Sequence, residues 1–191
     1  GIPTRKMFGK KMPPGRVIAK KDEVGVQARK LMPGLYWFFP IIWKIERVPV
    51  TVIGSKQIGV VEAIDGEPIP TGRLLGDEIA CDSYQDAETF LFGKDPGKRG
   101  GPNGKKGPQI GILRPGTYRI NTTLFRIQPK AATVVPAAKV GLVVALDGAP
   151  LPDKEFVAKR VENHTDFQNA SVFLSAGGQR GPQLDVLRPG T

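Results

Sequence analysis

The stretch "IGVVEAIDGEPIP" at residues 58–70 returns as "VGLVVALDGAPLP" at 140–152, and this recurrence decides how the chain is read. At an offset of 82, Gly59/Gly141, Val61/Val143, Ala63/Ala145, Asp65/Asp147, Gly66/Gly148, Pro68/Pro150 and Pro70/Pro152 are identical. A fixed period with conserved turn residues is the signature of a tandem architecture. Working outward, "GPQIGILRPGT" at 107–117 returns as "GPQLDVLRPGT" at 181–191, and "YQDAETFL" at 84–91 returns as "FQNASVFL" at 167–174. The offset falls from 83 to 74 between these two matches, so the middle copy holds nine extra residues within "GKDPGKRGGPNGKKG". An added Gly/Lys loop costs little closure entropy and leaves a core unchanged.

A first copy precedes these two. "LMPGLYWFFPIIWKI" at 31–45 aligns at offset 82 with "LRPGTYRINTTLFRI" at 113–127, sharing Leu31/Leu113, Pro33/Pro115, Gly34/Gly116, Tyr36/Tyr118 and Ile45/Ile127. "PPGRVIA" at 13–19 aligns with "PTGRLLG" at 70–76 at offset 57, so the first copy lacks the "YQDAETFL" segment. The repeats therefore run over 1–70, 71–152 and 153–191, the last a partial copy that breaks off in mid-motif. That break predicts a longer protein.

Each copy reads as short β-strands punctuated by turns. "VIAKKDEVGVQA", "YRINTTLFRI", "ATVVP" and "KVGLVVALDG" are rich in β-branched residues. Pro-Gly at 33–34, 115–116 and 189–190 and Asp-Gly at 65–66 and 147–148 supply turns. Gly (24) and Pro (18) make up about 22% of the 191 residues, against roughly 12% in an average chain, and their spacing is that of turns between strands. One short helix per full copy is predicted. Tyr84, Ala87, Phe90 and Leu91 fall on one helical face, with Asp82 and Gln85, or Thr165 and Gln168, as cap and third residue. Gly177 and Gly178 would stop the later helix. The fold class predicted is mainly β, a string of small modules that lean on their neighbours.

Catalysis finds no foothold. His164 is the only His and Cys81 the only Cys, and both occupy one repeat position at offset 83, which predicts a packing or surface role. Asp65 and Asp147 recur, but inside turns, where Asp is favoured for bonding the backbone. "GKRGGPNGKKG" lacks the spacing of a phosphate-binding P-loop. The sequence predicts a non-enzymatic protein with no cofactor, no metal and no small-molecule substrate.

The charge of +10 is localised. Residues 1–30 carry nine Lys or Arg against Asp22 and Glu23, a net of +7, and residues 93–107 carry a net of +4. Arg5, Lys6, Lys10 and Lys11 in the first cluster, and Lys94, Lys98, Arg99, Lys105 and Lys106 in the second, are the candidate contacts for an anionic partner. Aromatic residues are not interleaved with them, which disfavours nucleic acid.

The second candidate surface is the apolar run Leu35, Tyr36, Trp37, Phe38, Phe39, Ile41, Ile42 and Trp43. The middle copy has Arg119, Asn121, Thr122 and Thr123 where the first has Trp37, Phe39, Pro40 and Ile41, so the shared scaffold does not require apolar side chains there. Either this run fills a core or it meets a bilayer or a neighbouring subunit, and the middle copy's polar residues favour an interface. Trp and Tyr favour membrane interfaces, and the adjacent basic segment favours anionic lipid. No run of about 18 apolar residues and no signal-peptide pattern occurs, and a single Cys fits a reducing compartment, so the expected location is a membrane surface on the cytoplasmic side.

"PGLYWFFPIIWKIERVPVTVI", "IGVVEAIDGEPIP" and above all "GPQIGILRPGTYRINTTLF" resemble the N-terminal part of bacterial flotillin-like proteins of the SPFH group, with stomatin, prohibitin and flotillin. The resemblance covers nearly the whole chain. It implies a membrane-anchored scaffold whose copies assemble into large rings or cages and organise a membrane microdomain. The family's short hydrophobic anchor and long coiled coil are not visible in these residues. The tandem β modules are also similar, more distantly, to the repeats of the major vault protein. The alternatives are a soluble module that binds nucleic acid or protein clients through its basic loops, and a structural shell protein.

Overall fold

The computed structural model describes residues 1–93 and 103–190. Among them the chain is mainly β, with eleven short strands and two six-residue helices. It forms two compact units, one of Gly1–Pro68 with Gly76–Lys130, the other of Ile69–Leu75 with Ala131–Thr191. The first unit thus holds most of the first two sequence copies, and the second holds the end of the second copy together with the third.

The first unit contains the repeated sheet twice. Strand β1 (Ile2–Arg5) lies antiparallel between β3 (Gly25–Gln27) and β4 (Trp43–Glu46), and β2 (Ile18–Ala19) runs parallel to β3. Strand β6 (Gln57–Ala63) is likewise a middle strand, antiparallel to β7 (Gly107–Leu113) on one edge and bonded to β9 (Phe125–Ala131) on the other. β5 (Thr51–Ile53) pairs with β8 (Gly116–Tyr118) beside them. Burial alternates along β6, with Gly59, Val61 and Ala63 turned inward, as a two-residue period requires. In the second unit, β10 (Gly141–Ala145) pairs with β11 (Gly181–Leu187) in the register of β6 with β7, including the same irregularity after the first two pairs.

One residue recurs in all three copies in one role. The side-chain amides of Gln27, Gln109 and Gln183 each donate to the main-chain carbonyls two and four residues back. The "GPQ" string marks the last two. Gln27 sits in "EVGVQA" and is found by carrying offset 82 back from Gln109.

The helices start later than the sequence predicts. Helix α1 (Ala87–Phe92) is capped by Asp86, whose side chain accepts from Thr89 N, and α2 (Ala170–Ser175) by Asn169, which accepts from Val172 N. Asp82 and Thr165 are not caps. Each opens a left-handed turn, Asp82–Ser83–Tyr84 with φ of 52, 51 and 61° and Thr165–Asp166–Phe167 with 50, 49 and 61°. Gln85 N and Gln168 N close these turns on the Asp82 and Thr165 carbonyls at 3.0 and 2.9 Å. Left-handed geometry costs about 1–2 kcal/mol per residue. Burying one aromatic ring of about 150–250 Å² contributes about 4–6 kcal/mol at about 25 cal/mol per Å², the same order. Tyr84 is that ring in the first unit. It packs at 5.2 Å on Phe125, which meets Phe90 at 4.9 Å, and its hydroxyl donates to Gly111 O. The later helix ends at Ser175 with Ala176 as its cap, and Gly177 follows with φ of 84°, as the Gly-Gly signal predicts.

"ATVVP" at 132–136 forms no strand. Its aligned counterpart β5 is a strand because β8 pairs with it, with Ile53 opposite Gly116. In the second unit Gly190 N donates to Val135 O at 3.2 Å, the equivalent of the first step of that pairing, and among the described residues no strand forms there.

The Asp-Gly turns do more than bend the chain. Asp65 and Asp147 are both buried. Each binds its own following Gly N–H through Oδ1, the local role expected of a turn Asp. Each also reaches a distant segment through Oδ2. Asp65 accepts from Val17 N and Ile18 N at 2.8 and 2.7 Å, and Asp147 from Leu74 N and Leu75 N at 3.2 and 3.1 Å. The repeated "PPGRVIA" and "PTGRLLG" segments are therefore held by the repeated Asp. Gly66 and Gly148 are required beside it, since a Cβ would stand 2.5 and 2.4 Å from the Gly104 and Gly178 carbonyl oxygens, at φ of 142 and 129°.

Candidate functional site

Between β3 and β4 the chain leaves regular structure and presents the aromatic run as an open loop. Leu35, Trp37, Phe39 and Ile41 are exposed by 89, 93, 61 and 58%, and Tyr36 is exposed as well. Phe38, Ile42 and Trp43 are half-buried and anchor the loop. Phe38 lies between Tyr36, tilted at 6.1 Å, and Trp43, edge-to-face at 5.9 Å, and Trp43 opens strand β4. The eight residues thus divide into five that face outward and three that hold them.

Two of the basic candidates reach this loop. The Arg5 guanidinium lies 5.7 Å over the Trp43 ring and donates to the Met7, Phe8 and Lys21 carbonyls. Lys6 Nζ donates to Pro40 O at 3.4 Å, and Lys6 N to Ile42 O at 2.7 Å. The others have different places. Lys10 pairs with Asp22 at 2.9 Å, and that hydrogen-bonded pairing raises the lysine pKa and lowers the aspartate's. Lys11 is exposed. Lys105 is held by Glu67 at 2.7 Å, and its hydrogen bond, with that of Asn103, keeps the Glu67 carboxyl below its usual value. Lys106 is exposed, and Lys94, Lys98 and Arg99 lie outside the described residues. The second charge cluster is thus partly a structural tie to Glu67.

Beside the loop lies a cleft of about 340 Å³, lined by Lys30, Leu31, Tyr36, Arg47, Val50 and Arg119 among others. Lys30 is committed to the fold: its ammonium donates to the Gln85 and Arg119 carbonyls. Burial lowers its pKa, opposed by the nearby Asp82 and Asp86. Arg47 and Arg119 are exposed at the rim. The arrangement combines exposed aromatic and aliphatic side chains with cations, which suits an anionic interface.

Sequence reasoning missed Met7, Phe8 and Met32, which are exposed on the same unit. Phe8 has a traceable signal. The parallel bridges Lys10–Glu23, Glu67–Lys105 and Ala149–Gln179 are equivalent across the three copies. Counting back two residues from the first member of each puts Phe8 in the structural place of Asp65 and Asp147. At this first place an exposed ring stands where the other two have a buried carboxylate.

Cys81 and His164 are both buried. His164 Nδ1 accepts from Phe167 N at 2.8 Å while its ring stacks on Phe167 at 4.2 Å. The Cys81 thiol is pushed up in pKa by burial, with the Tyr84 N–H pulling the other way. Among the described residues no group of three His, Cys, Asp or Glu could hold a metal ion.

Comparison with known protein families, with curated proteins and with solved structures finds no match. Among the described residues no helix is long and apolar enough to cross a membrane.

Proposed function

We propose that the protein is a non-enzymatic scaffold that attaches to membranes through the 35–43 loop and assembles through its tandem β modules. The observation that carries this reading is a contrast between aligned loops. In the second copy, Ile120 and Asn121 are buried, and the Asn121 amide donates to the Gln27 and Ala28 carbonyls of the first copy. In the first copy the aligned Phe39 is exposed, between exposed Trp37 and Ile41. A loop that serves as a contact surface once is present again in apolar form, next to Arg5, Lys6 and Arg47. Each inserted Leu, Phe or Trp contributes about 1.5–3 kcal/mol, and each Lys or Arg near an anionic leaflet about 1 kcal/mol. That is enough for reversible attachment, and many copies in one ring or cage would make it lasting through effective concentration. The resemblance to flotillin-like proteins points the same way, toward a membrane microdomain scaffold.

The same contrast favours a second reading, in which the loop packs on a preceding β module of a neighbouring subunit. Flotation with vesicles of phosphatidylserine and phosphatidylcholine separates the two. Membrane attachment predicts recovery of the chain with the vesicles, weakened by salt and by the combined substitutions Trp37→Arg, Phe39→Asn and Trp43→Phe. Recovery that is absent, or unchanged by the substitutions, would sink it.

A further inference from the structure

Three aromatic residues among those described hold left-handed backbone, and one of them keeps its ring in solvent. Tyr84 and Phe167, both at φ of 61°, turn their rings onto Phe125 and His164 at 5.2 and 4.2 Å. Phe8, at φ of 58°, is exposed by 76%, with Met7 beside it at 38%. In the equivalent places Asp65 and Asp147 are buried, and neither has a positive φ. Left-handed backbone is unfavourable for a residue with a side chain, and it persists where the surroundings hold it. Here the holders are explicit. The Arg5 guanidinium donates to the Met7 and Phe8 carbonyls. Lys6 N donates to Ile42 O at 2.7 Å before the turn, and Lys10 N to Asp22 O at 2.8 Å after it. A Cβ at Gly9 would stand 2.9 Å from the Asp22 carbonyl oxygen, so glycine is what lets these two segments meet.

The turn shares one end of the sheet with part of the apolar loop. Arg5 pairs with Trp43 in the last step of the β1–β4 ladder, and the bond from Lys6 N to Ile42 O continues it. Met7 and Phe8 therefore leave β1 where Phe39 and Ile41 approach β4, at the end opposite to Gly1. Residues 5–11 carry Arg5, Lys6, Lys10 and Lys11 and no acid. Lys10 is paired with Asp22, while Lys6 and Lys11 are exposed. Apolar tips among cations match the boundary between acyl chains and anionic headgroups, where rings enter and cations stay at the phosphates. We propose that the Met7–Phe8 turn is a second insertion point, entering an anionic bilayer leaflet from the same end of the sheet as Phe39 and Ile41. This rests on the membrane reading above and adds to it a site outside residues 35–43. A turn already fixed by Arg5 loses little freedom on entry.

The test uses the whole 191-residue chain and vesicles of phosphatidylserine and phosphatidylcholine. Phe8→Gly removes the ring and suits the left-handed backbone, so its melting temperature should equal or exceed the parent's. Its partition into the vesicles should fall about tenfold. A second variant combines Phe8→Trp with Trp37→Phe and Trp43→Phe, which leaves one indole in the chain. Lipids with brominated acyl chains should quench that indole. Vesicle recovery of Phe8→Gly equal to the parent's, or an indole that brominated chains leave unquenched, would overturn the inference while the 35–43 reading stands. Equal recovery with weakened self-association would assign the turn to a second copy of this chain instead. A parent chain that is not recovered with the vesicles would overturn both readings together.

Discussion

The Asn121 side-chain amide donates to the Gln27 carbonyl at 3.1 Å, and to Ala28 O at 3.2 Å. Asn121 is 1% exposed, so both partners would lack alternatives in water if it were removed. Asn121→Ala is expected to lower the stability of the first unit by about 1–3 kcal/mol, the cost of unpaired buried carbonyls plus a small void. Thermal unfolding measures this. A change within about 0.5 kcal/mol, the range of ordinary surface positions, would show that the loop is not held by this bond.

The Asp147 carboxylate gives a dependence on acid. Desolvation pushes its pKa up, but the N–H groups of Gly148, Leu74 and Leu75 and the charge of Arg73 outweigh it, and the carboxyl lies below its usual value. A carboxyl depressed in the folded state contributes stability above its unfolded pKa of about 3.9 and loses it as pH falls through the folded value. Denaturant titrations from pH 6 downward should show the second unit weakening below about pH 4, and Asp147→Asn should flatten that part of the profile. An unchanged profile in the variant would remove Asp147 as the cause.

The Trp37→Arg, Phe39→Asn, Trp43→Phe combination should leave the melting temperature within a few degrees of the parent, since Trp37 is 93% exposed and Phe at 43 retains a ring for Phe38. Near-ultraviolet circular dichroism would show retained packing while vesicle recovery falls. Unfolding of the variant would instead place these side chains in a core.

Two glycines separate steric demand from backbone preference. Gly66→Ala would put a Cβ 2.5 Å from Gly104 O at φ of 142°, whereas Gly72, at φ of 90°, has nothing within 4 Å of its added Cβ. Gly72→Ala should cost about 1–2 kcal/mol from the left-handed backbone alone, and Gly66→Ala clearly more. The third copy bears this out in part, because Lys154, which aligns with Gly72, occupies φ of 75°. Equal losses in chemical denaturation would contradict the steric account.

The repeat, the mainly β class and the middle strands of each sheet were legible because they depend on local chemistry. A two-residue burial period, turn-forming Asp-Gly and Pro-Gly pairs, and matched offsets all lie within a few residues of one another. The helix starts were misplaced at Asp82 and Thr165 because the apolar spacing of Tyr84 with Phe90 is satisfied equally well by a left-handed turn followed by a helix. Only the packing of Tyr84 against Phe125, 41 residues on, distinguishes the two.

By itself the sequence determined that one β unit is used repeatedly and that its first version is apolar where the second is polar. The tertiary structure alone decided that the 35–43 loop faces outward on three anchoring residues and that Asp65 and Asp147 hold segments 47 and 72 residues away. Exposure and long-range hydrogen bonds depend on which surfaces meet across the fold. A period along the chain carries the propensity of each segment but not the identity of its neighbour.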